Sequence, residues 1–136
     1  MRCKLVADVA VLERNKVLLL RYEDTSKYDH QSGWFLPDDF LTELEHPEDA
    51  ARRIAREQIG VDLPDVRLGE IESFGNGAWH LVFHYVARLD SAREPTAVSP
   101  GPNVAETKWF PLDALPDPST VAHEGWALDV LRRVAS

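Results

Sequence analysis

Residues 33–61 read GWFLPDDFLTELEHPEDAARRIAREQIGV, which indicates a strand, an acidic loop, a helix and a stop in that order. The apolar run at 33–36 predicts a short strand. This strand should end at Pro37, because proline has no N–H to donate to a sheet ladder. The loop that follows places four carboxylates within eight residues, at Asp38, Asp39, Glu43 and Glu45.

A helix over 47–59 follows the acidic loop. Pro47 suits the first turn of a helix because its φ angle is already close to the helical value, and His46 stands at the N-cap position. Gly60 provides the C-terminal stop. Five residues share one side of this helix, as in an amphipathic helix that packs on a sheet. They are Ala50, Ala51, Ile54, Ala55 and Gln58.

The same stretch also carries a regular spacing of charged, aliphatic and small residues. Leu36-Pro37 leads into it, and its positions fall on Asp39, Glu45, Arg53, Ile54, Ala55, Glu57, Gln58, Gly60 and Val61. This spacing resembles the Nudix box, G-x5-E-x7-R-E-U-x-E-E-x-G-U, in which U is aliphatic. Asp39 stands at the first glycine, Ile54 at the glutamate after the arginine, and Gln58 at the last glutamate. The chain is therefore similar to Nudix hydrolases, with a degenerate box.

The resemblance implies a role for three positions of the helix. Residues 54, 57 and 58 lie within one helical turn, so their side chains are expected to converge on one face. In the family these positions hold carboxylates that bind magnesium, so Mg²⁺ or Mn²⁺ is the implied cofactor. Glu57 keeps its carboxylate and Gln58 keeps an amide oxygen. Ile54 can neither coordinate a metal nor act as a base.

The candidate site residues follow from this resemblance. Glu57, Arg53 and Glu45 are the candidate catalytic residues, and Glu45 is expected to pair with Arg53 and fix the loop. The candidate metal ligands are Glu57, Asp39, Gln58 and Glu106, and the candidate substrate contacts are Lys27 and Trp34. The alternatives are a solvated loop charge for Lys27 and a surface strand glutamate for Glu106.

The rest of the chain predicts further strands and one more helix. Segments 4–12 and 17–22 form an expected antiparallel hairpin, and their apolar runs indicate burial on both faces. Strands are expected at 66–74, 78–89 and 104–110, with a turn at 75–77 and a long loop at 90–103. Ser119 or Thr120 is expected to cap a C-terminal helix that runs to Val134.

Two of these segments bear on function. Alternation along 78–89 places Trp79 and Phe83 on one face, and His80 and His84 on the other. The aromatic residues could stack on a nucleobase or pack in the core. The histidines are expected to be structural or interfacial, because the sequence places no third metal ligand beside them. The segment at 106–115, ETKWFPLDAL, is similar to the one that follows the last core strand in many Nudix proteins.

Composition restricts the class of protein. The 136 residues are expected to form one domain, 1–136, and the net charge of −8 argues against general binding to nucleic acids or anionic membranes. Cys3 is the single cysteine, and no signal-peptide pattern is present, so we expect a cytoplasmic protein. No segment has the apolar length of a membrane span. The long apolar strands are compatible with a homodimer.

Together these segments predict an α/β (α+β) fold, a Nudix-like α/β/α sandwich with a mixed sheet. The resemblance implies a Nudix-type hydrolase of a nucleoside diphosphate linked to another group, weak or atypical because the box has lost acidic residues. The alternative is a catalytically silent Nudix fold that binds a nucleotide-like ligand or a protein partner. An unrelated α+β interaction domain would require both segment matches to be accidental.

Overall fold

The computed structural model describes residues 2–75, 77–89 and 96–135. Over these residues the chain forms a mixed six-stranded sheet and two helices, which confirms the predicted α/β architecture. The strands are β1 (Cys3–Glu13), β2 (Lys16–Tyr22), β3 (Asp38–Phe40), β4 (Arg67–Gly75), β5 (Trp79–Arg88) and β6 (Val104–Pro111). The helices are α1 (Pro47–Ile59) and α2 (Ala122–Val134), and neither is long and apolar enough to cross a membrane.

Strand β1 is the centre of the sheet. It pairs antiparallel with β2 and β3 and parallel with β5, and the main strand order is β4-β5-β1-β2-β6. The predicted hairpin of β1 and β2 is therefore confirmed. Every residue from Ala7 to Glu13 is buried, as expected for a strand that is covered on both faces.

The two faces of β1 belong to two different cores. Val9 and Val11 pack in the core that contains the buried side of α1, whereas Ala10 and Leu12 pack in the core that contains α2. Alternate residues of a strand point to opposite faces, so α1 and α2 lie on opposite sides of the sheet. Each large aliphatic side chain buried in this way contributes about 1.5–3 kcal/mol to the free energy of folding.

The predicted strand at 33–36 is wrong, because residues 34 and 35 form only isolated bridges. The regular strand is β3, which was expected to be acidic loop. Strand β2 pairs with the C-terminal end of β1, so the edge of β1 at Val6–Asp8 is open and β3 occupies it. Pro37 does not stop this pairing, because its carbonyl oxygen accepts a hydrogen bond from the N–H of Val9 at 3.1 Å.

Helix α1 begins and ends at the predicted residues. The His46 Nδ1 accepts a hydrogen bond from the N–H of Glu48 at 3.0 Å, which satisfies one free donor of the first turn. Gly60 ends the helix with a left-handed φ of 66°. A Cβ at this position would lie 2.8 Å from the Cβ of Ser99, so both conformation and space favour glycine.

The start of α2 differs from the prediction. Ser119 lies in a 3-10 turn that is capped by Asp117, and neither Ser119 nor Thr120 caps α2. His123, Glu124 and Gly125 have left-handed φ angles of 53°, 56° and 87°, so regular helical geometry begins only after them. Residue 76 of the predicted turn and residues 90–95 of the predicted loop lie outside the described residues.

Ile54 lies inside the core rather than at a surface. Its side chain is fully buried and clusters with Ala7, Ala50, Leu41 and Phe83. Glu57, three residues later, is exposed, and Gln58 is only partly buried. Positions 54, 57 and 58 lie within one helical turn but in different surroundings, because Ile54 packs against the sheet and Glu57 is exposed.

Replacing Ile54 by glutamate tests this burial. Ile54→Glu should lower the free energy of unfolding by about 3–5 kcal/mol, because a buried carboxylate without a partner is strongly unfavourable. The matched control Ile54→Val should cost only about 0.5–1.5 kcal/mol. Urea unfolding measures both values, and a glutamate variant as stable as the valine variant would contradict the burial of this position.

The loop between β3 and α1 is tied to the helix by Glu45 and Arg53. The Arg53 Nε and Nη2 donate to the two carboxylate oxygens of Glu45 at 2.8 and 3.1 Å, as the expected bidentate pair. The Arg53 Nη2 also donates to the carbonyl oxygen of Phe40 at 2.9 Å, and Glu45 accepts from the N–H of Thr42 at 3.0 Å. One ion pair thus holds both ends of the loop.

The pH dependence of Glu45→Gln tests this anchor. Hydrogen bonds from Arg53 lower the pKa of Glu45 to about 2, so its contribution to stability is complete above its ordinary pKa and is lost as the pH falls toward 2. We expect Glu45→Gln to cost about 1–2 kcal/mol at pH 7 and progressively less below pH 4. Glu43→Gln removes an exposed carboxylate from the same loop and is the control. Equal effects of the two changes at pH 7 would contradict the anchor.

Candidate functional site

A cleft of about 360 Å³ lies on the face of the sheet opposite α1. Alternate residues of four strands form its floor. Its walls come from α2 and from the 3-10 turn at Ser26–Tyr28 with the residue that follows it. The floor residues are Lys4, Val6, Asp38, Phe40, Glu72, Phe74, His80 and Val82, and the walls include Lys27, Tyr28, Asp29, His123, Trp126 and Asp129. Its volume suits a small-molecule ligand.

Buried charged residues cross the sheet beneath this cleft. Asp8 on β1 is directly opposite Asp38 on β3 and opposite His84 on β5. The His84 Nδ1 lies 2.7 and 2.8 Å from the two oxygens of Asp8, and its Nε2 lies 2.6 Å from Glu72. Because both partners are acceptors, a protonated imidazole satisfies both contacts by donating two N–H groups.

The pKa directions agree with this charged arrangement. Burial opposes the charged form of His84, but the hydrogen bonds and charges of Asp8 and Glu72 outweigh it and raise the pKa of His84. Burial raises the pKa of Asp8, against the lowering effect of His84. Burial, followed by the negative charges of Asp8 and Asp39, raises the pKa of Asp38 well above its usual range. The neutral form of the Asp38 carboxyl group is therefore favoured more than in an exposed aspartate.

Glu70, Glu72 and His84 place potential ligand atoms within 4.8 Å of one another, as in a metal site. A guanidinium already occupies this position. The Arg133 Nε donates to Glu70 at 2.7 Å and its Nη2 lies 3.0 Å from Glu72, while the Trp126 Nε1 donates to Glu72 at 3.2 Å. These contacts satisfy the carboxylates without a metal ion.

The residues of the box surround a second guanidinium. Arg53 contacts Glu45 at 2.8 Å, Glu57 at 2.8 Å and Asp39 at 3.5 Å. Lys27, the candidate substrate contact that does line the cleft, lies 2.6 Å from Asp39. A divalent cation needs several oxygen ligands that no other cation holds. The carboxylates around Arg53 are already paired with cations, and Glu57, at 59% exposure, is the most accessible of them to a Mg²⁺ or Mn²⁺ ion.

The remaining candidates lie away from a metal position. Gln58 accepts a hydrogen bond from the hydroxyl of Tyr22 at 2.8 Å and donates to the carbonyl oxygen of Asp38 at 2.8 Å, so its amide is used in packing. Glu106 is exposed, pairs with Arg21 at 3.6 Å and is not among the residues that line the cleft. Trp34 is buried and packs edge-on against Phe110, below the cleft rather than in it.

Several residues of the cleft were not identified from the sequence. Glu72, Phe74 and Trp126 gave no signal, since each reads as an ordinary surface or core position. His84 was expected to be structural, and it is fully buried in the ion network, whereas His80 lines the cleft and stacks on Phe74 with ring centroids 5.0 Å apart. Asp8 could have indicated the network from the sequence, because a charged residue inside an apolar strand requires a buried partner.

Solved structures share this fold at low sequence identity. A MutT NUDIX hydrolase from Burkholderia pseudomallei is 24% identical, with a TM-score of 0.77 over 98% of this chain and 99% of that one. The NUDIX domain of Shewanella oneidensis NrtR, solved with ADP ribose, is 18% identical, with a TM-score of 0.74 over 100% and 90% of the chains.

A third structure is a bifunctional NMN adenylyltransferase/ADP ribose pyrophosphatase from Francisella tularensis, complexed with AMP and a Mn ion. It is 14% identical, with a TM-score of 0.76 over 96% of this chain and 41% of that one. No curated protein matches the sequence. A family model described as the NUDIX domain matches residues 4–130, and the chain therefore belongs to the NUDIX family.

Proposed function

We propose that this protein binds a nucleotide-like ligand in the cleft and that its Nudix box does not support efficient metal-dependent hydrolysis. The observation that carries the proposal is the state of the two replaced positions. Ile54 is fully buried in the core, and the amide of Gln58 is bonded to Tyr22 and to the backbone of Asp38. Both side chains have become part of the scaffold.

The cleft supports the ligand part of this proposal. Its aromatic side chains, including Phe74 and Trp126, suit a ring system, and Lys27 also lines it, 2.6 Å from Asp39. A Nudix domain with this fold has been solved with ADP ribose, and a bifunctional NMN adenylyltransferase/ADP ribose pyrophosphatase that shares the fold has been solved with AMP, which makes these compounds the first probes to use.

Weak hydrolysis through Glu57 is the second candidate function. The Glu57 side chain is 59% exposed at the surface of α1, and its contact with Arg53 is an exposed ion pair. Such pairs contribute little to stability, so a ligand phosphate with its own Mg²⁺ could compete for this carboxylate. In this second function Glu57 would be the remaining metal ligand of the box.

Thermal-shift titrations with ADP-ribose and with AMP test the proposal, each in EDTA, in Mg²⁺ and in Mn²⁺. A ligand at ten times its Kd adds about 1.4 kcal/mol, which corresponds to about 4 °C for a chain of this size. We expect this shift in EDTA, unchanged in Glu57→Gln, and no phosphate-bond cleavage above the uncatalysed rate with either metal.

The other outcomes separate the two candidates. A shift that requires Mg²⁺ or Mn²⁺ and disappears in Glu57→Gln, together with product formation, would replace the binding function by hydrolysis. If neither compound changes the melting temperature under any condition, this cleft does not bind ligands of the ADP-ribose or AMP type.

A further inference from the structure

Asp38 is a buried carboxylate at the inner end of the cleft. The residue is 7% exposed, and no described residue forms a hydrogen bond or ion pair with its carboxylate oxygens. Its backbone is held firmly. The backbone N–H donates to the Tyr22 hydroxyl at 3.1 Å, and the carbonyl oxygen accepts from Gln58 at 2.8 Å. Asp38 therefore keeps its position, and the nearby Lys27 offsets only part of the cost of burying its carboxyl group.

The register of the sheet directs this carboxylate into the cleft. Directly opposed residues of antiparallel strands project to the same face, and Asp38 is opposed to Asp8. Asp8 points to the cleft side, because its carboxylate binds His84 next to Glu72 of the cleft floor. Phe40, two residues after Asp38, also lines the floor. The side chain of Asp38 thus shares the cleft face.

An aromatic wall stands beside Asp38. Trp126 and Asp38 both line the cleft, and both also line a second, water-sized cavity of about 10 Å³. The indole ring of Trp126 is oriented by its hydrogen bond to Glu72 and by an edge contact with Phe74 at 6.3 Å between centroids. Phe35 and Tyr28 line the same cleft. Tryptophan is the side chain that attracts cations most strongly through its ring face.

The other acidic groups of the cleft already have cationic or imidazole partners. Asp39 lies 2.6 Å from Lys27, and Asp29 lies 3.0 Å from His123. Lys4, the other lysine of the cleft, is four positions before Asp8 on β1, which is about 13 Å along an extended strand. The end of the cleft at Asp38 and Trp126 therefore combines an aromatic surface with a buried carboxyl group, whose ionised form a bound cation would stabilise.

We propose that this end of the cleft receives a cationic group, an alkylammonium or quaternary ammonium, with its charge against Asp38 and its hydrocarbon surface on Trp126. The inference rests on the proposed function in taking the cleft as the ligand site. It adds that the part of the ligand at Asp38 and Trp126 carries a positive charge. A phosphate would bring a second anionic group against the buried carboxyl group of Asp38, which is unfavourable. A bare divalent ion does not suit this end either, because the neighbouring surface is aromatic rather than oxygen-rich.

Choline and 3,3-dimethyl-1-butanol separate charge from shape, because they have the same shape and only choline is charged. Binding is followed by NMR through the side-chain indole N–H signal of Trp126 and the backbone amide signals. Choline should bind at least about tenfold more tightly than the neutral alcohol, since the charge adds a contact with Asp38 and a cation–π contact. Asp38→Asn should remove this preference, and the NMR spectrum of the variant should remain that of a folded protein. Asp62→Asn, which removes an exposed charge, should retain it.

Three results would contradict the cationic site. Equal affinity for choline and the alcohol, or a preference that survives Asp38→Asn, would overturn the cationic site. Mg²⁺ moving the Trp126 signal in the same way as choline would also overturn it. Failure here is distinct from failure of the proposed function: ADP-ribose binding without choline binding removes only the cationic site, and choline binding without nucleotide binding removes only the nucleotide ligand.

Discussion

The contact between Asp8 and His84 is the interaction on which the cleft depends. Asp8 is a charged residue in the middle of a strand that is buried on both faces, and such a residue is tolerated only if its charge is matched. His84 matches it from the neighbouring parallel strand, and Glu72 holds the other ring nitrogen. This contact fixes the register of β1 against β5, and the same register sets out the residues of the cleft floor. Removing either partner would leave a buried charge and affect the whole face.

Under the proposed function, the chain keeps the framework of the Nudix box without its metal chemistry. Arg53 and Glu45 still bind the loop to α1, and Gly60 still ends the helix. Ile54 packs in the core, and the Gln58 amide donates to the carbonyl oxygen of Asp38 on β3. The polar groups that remain available to a ligand lie on the sheet face instead. Because these polar groups lie on the sheet and not on α1, belonging to the family does not by itself imply the family's usual reaction in this chain.

Local signals predicted the local parts of this structure. Pro47, His46 and Gly60 define the ends of α1 because each acts on its own backbone. Continuous apolar runs predicted the hairpin, and alternating residues predicted β5. The errors occurred where distant segments decide the outcome. Strand β3 exists because an edge of β1 is open, and the start of α2 is displaced because residue 121 bridges to residue 34. Lys27 was predicted as a substrate contact and does line the cleft, but the charged network of its floor was not predicted, since His84 meets a partner that is 76 residues away.

The three left-handed residues before the regular part of α2 have an energetic consequence for the wall of the cleft. The left-handed backbone of His123 and Glu124 costs about 1–2 kcal/mol per residue, because both residues carry a Cβ atom. This conformation persists only while the surrounding contacts enforce it. When this segment opens, the relief of that strain offsets part of the lost packing. The segment that carries Trp126 should thus open at a lower free energy than the central strands and exchange its amide hydrogens earlier. The wall next to Asp38 would be the part of the fold best able to adjust to the size of an incoming group.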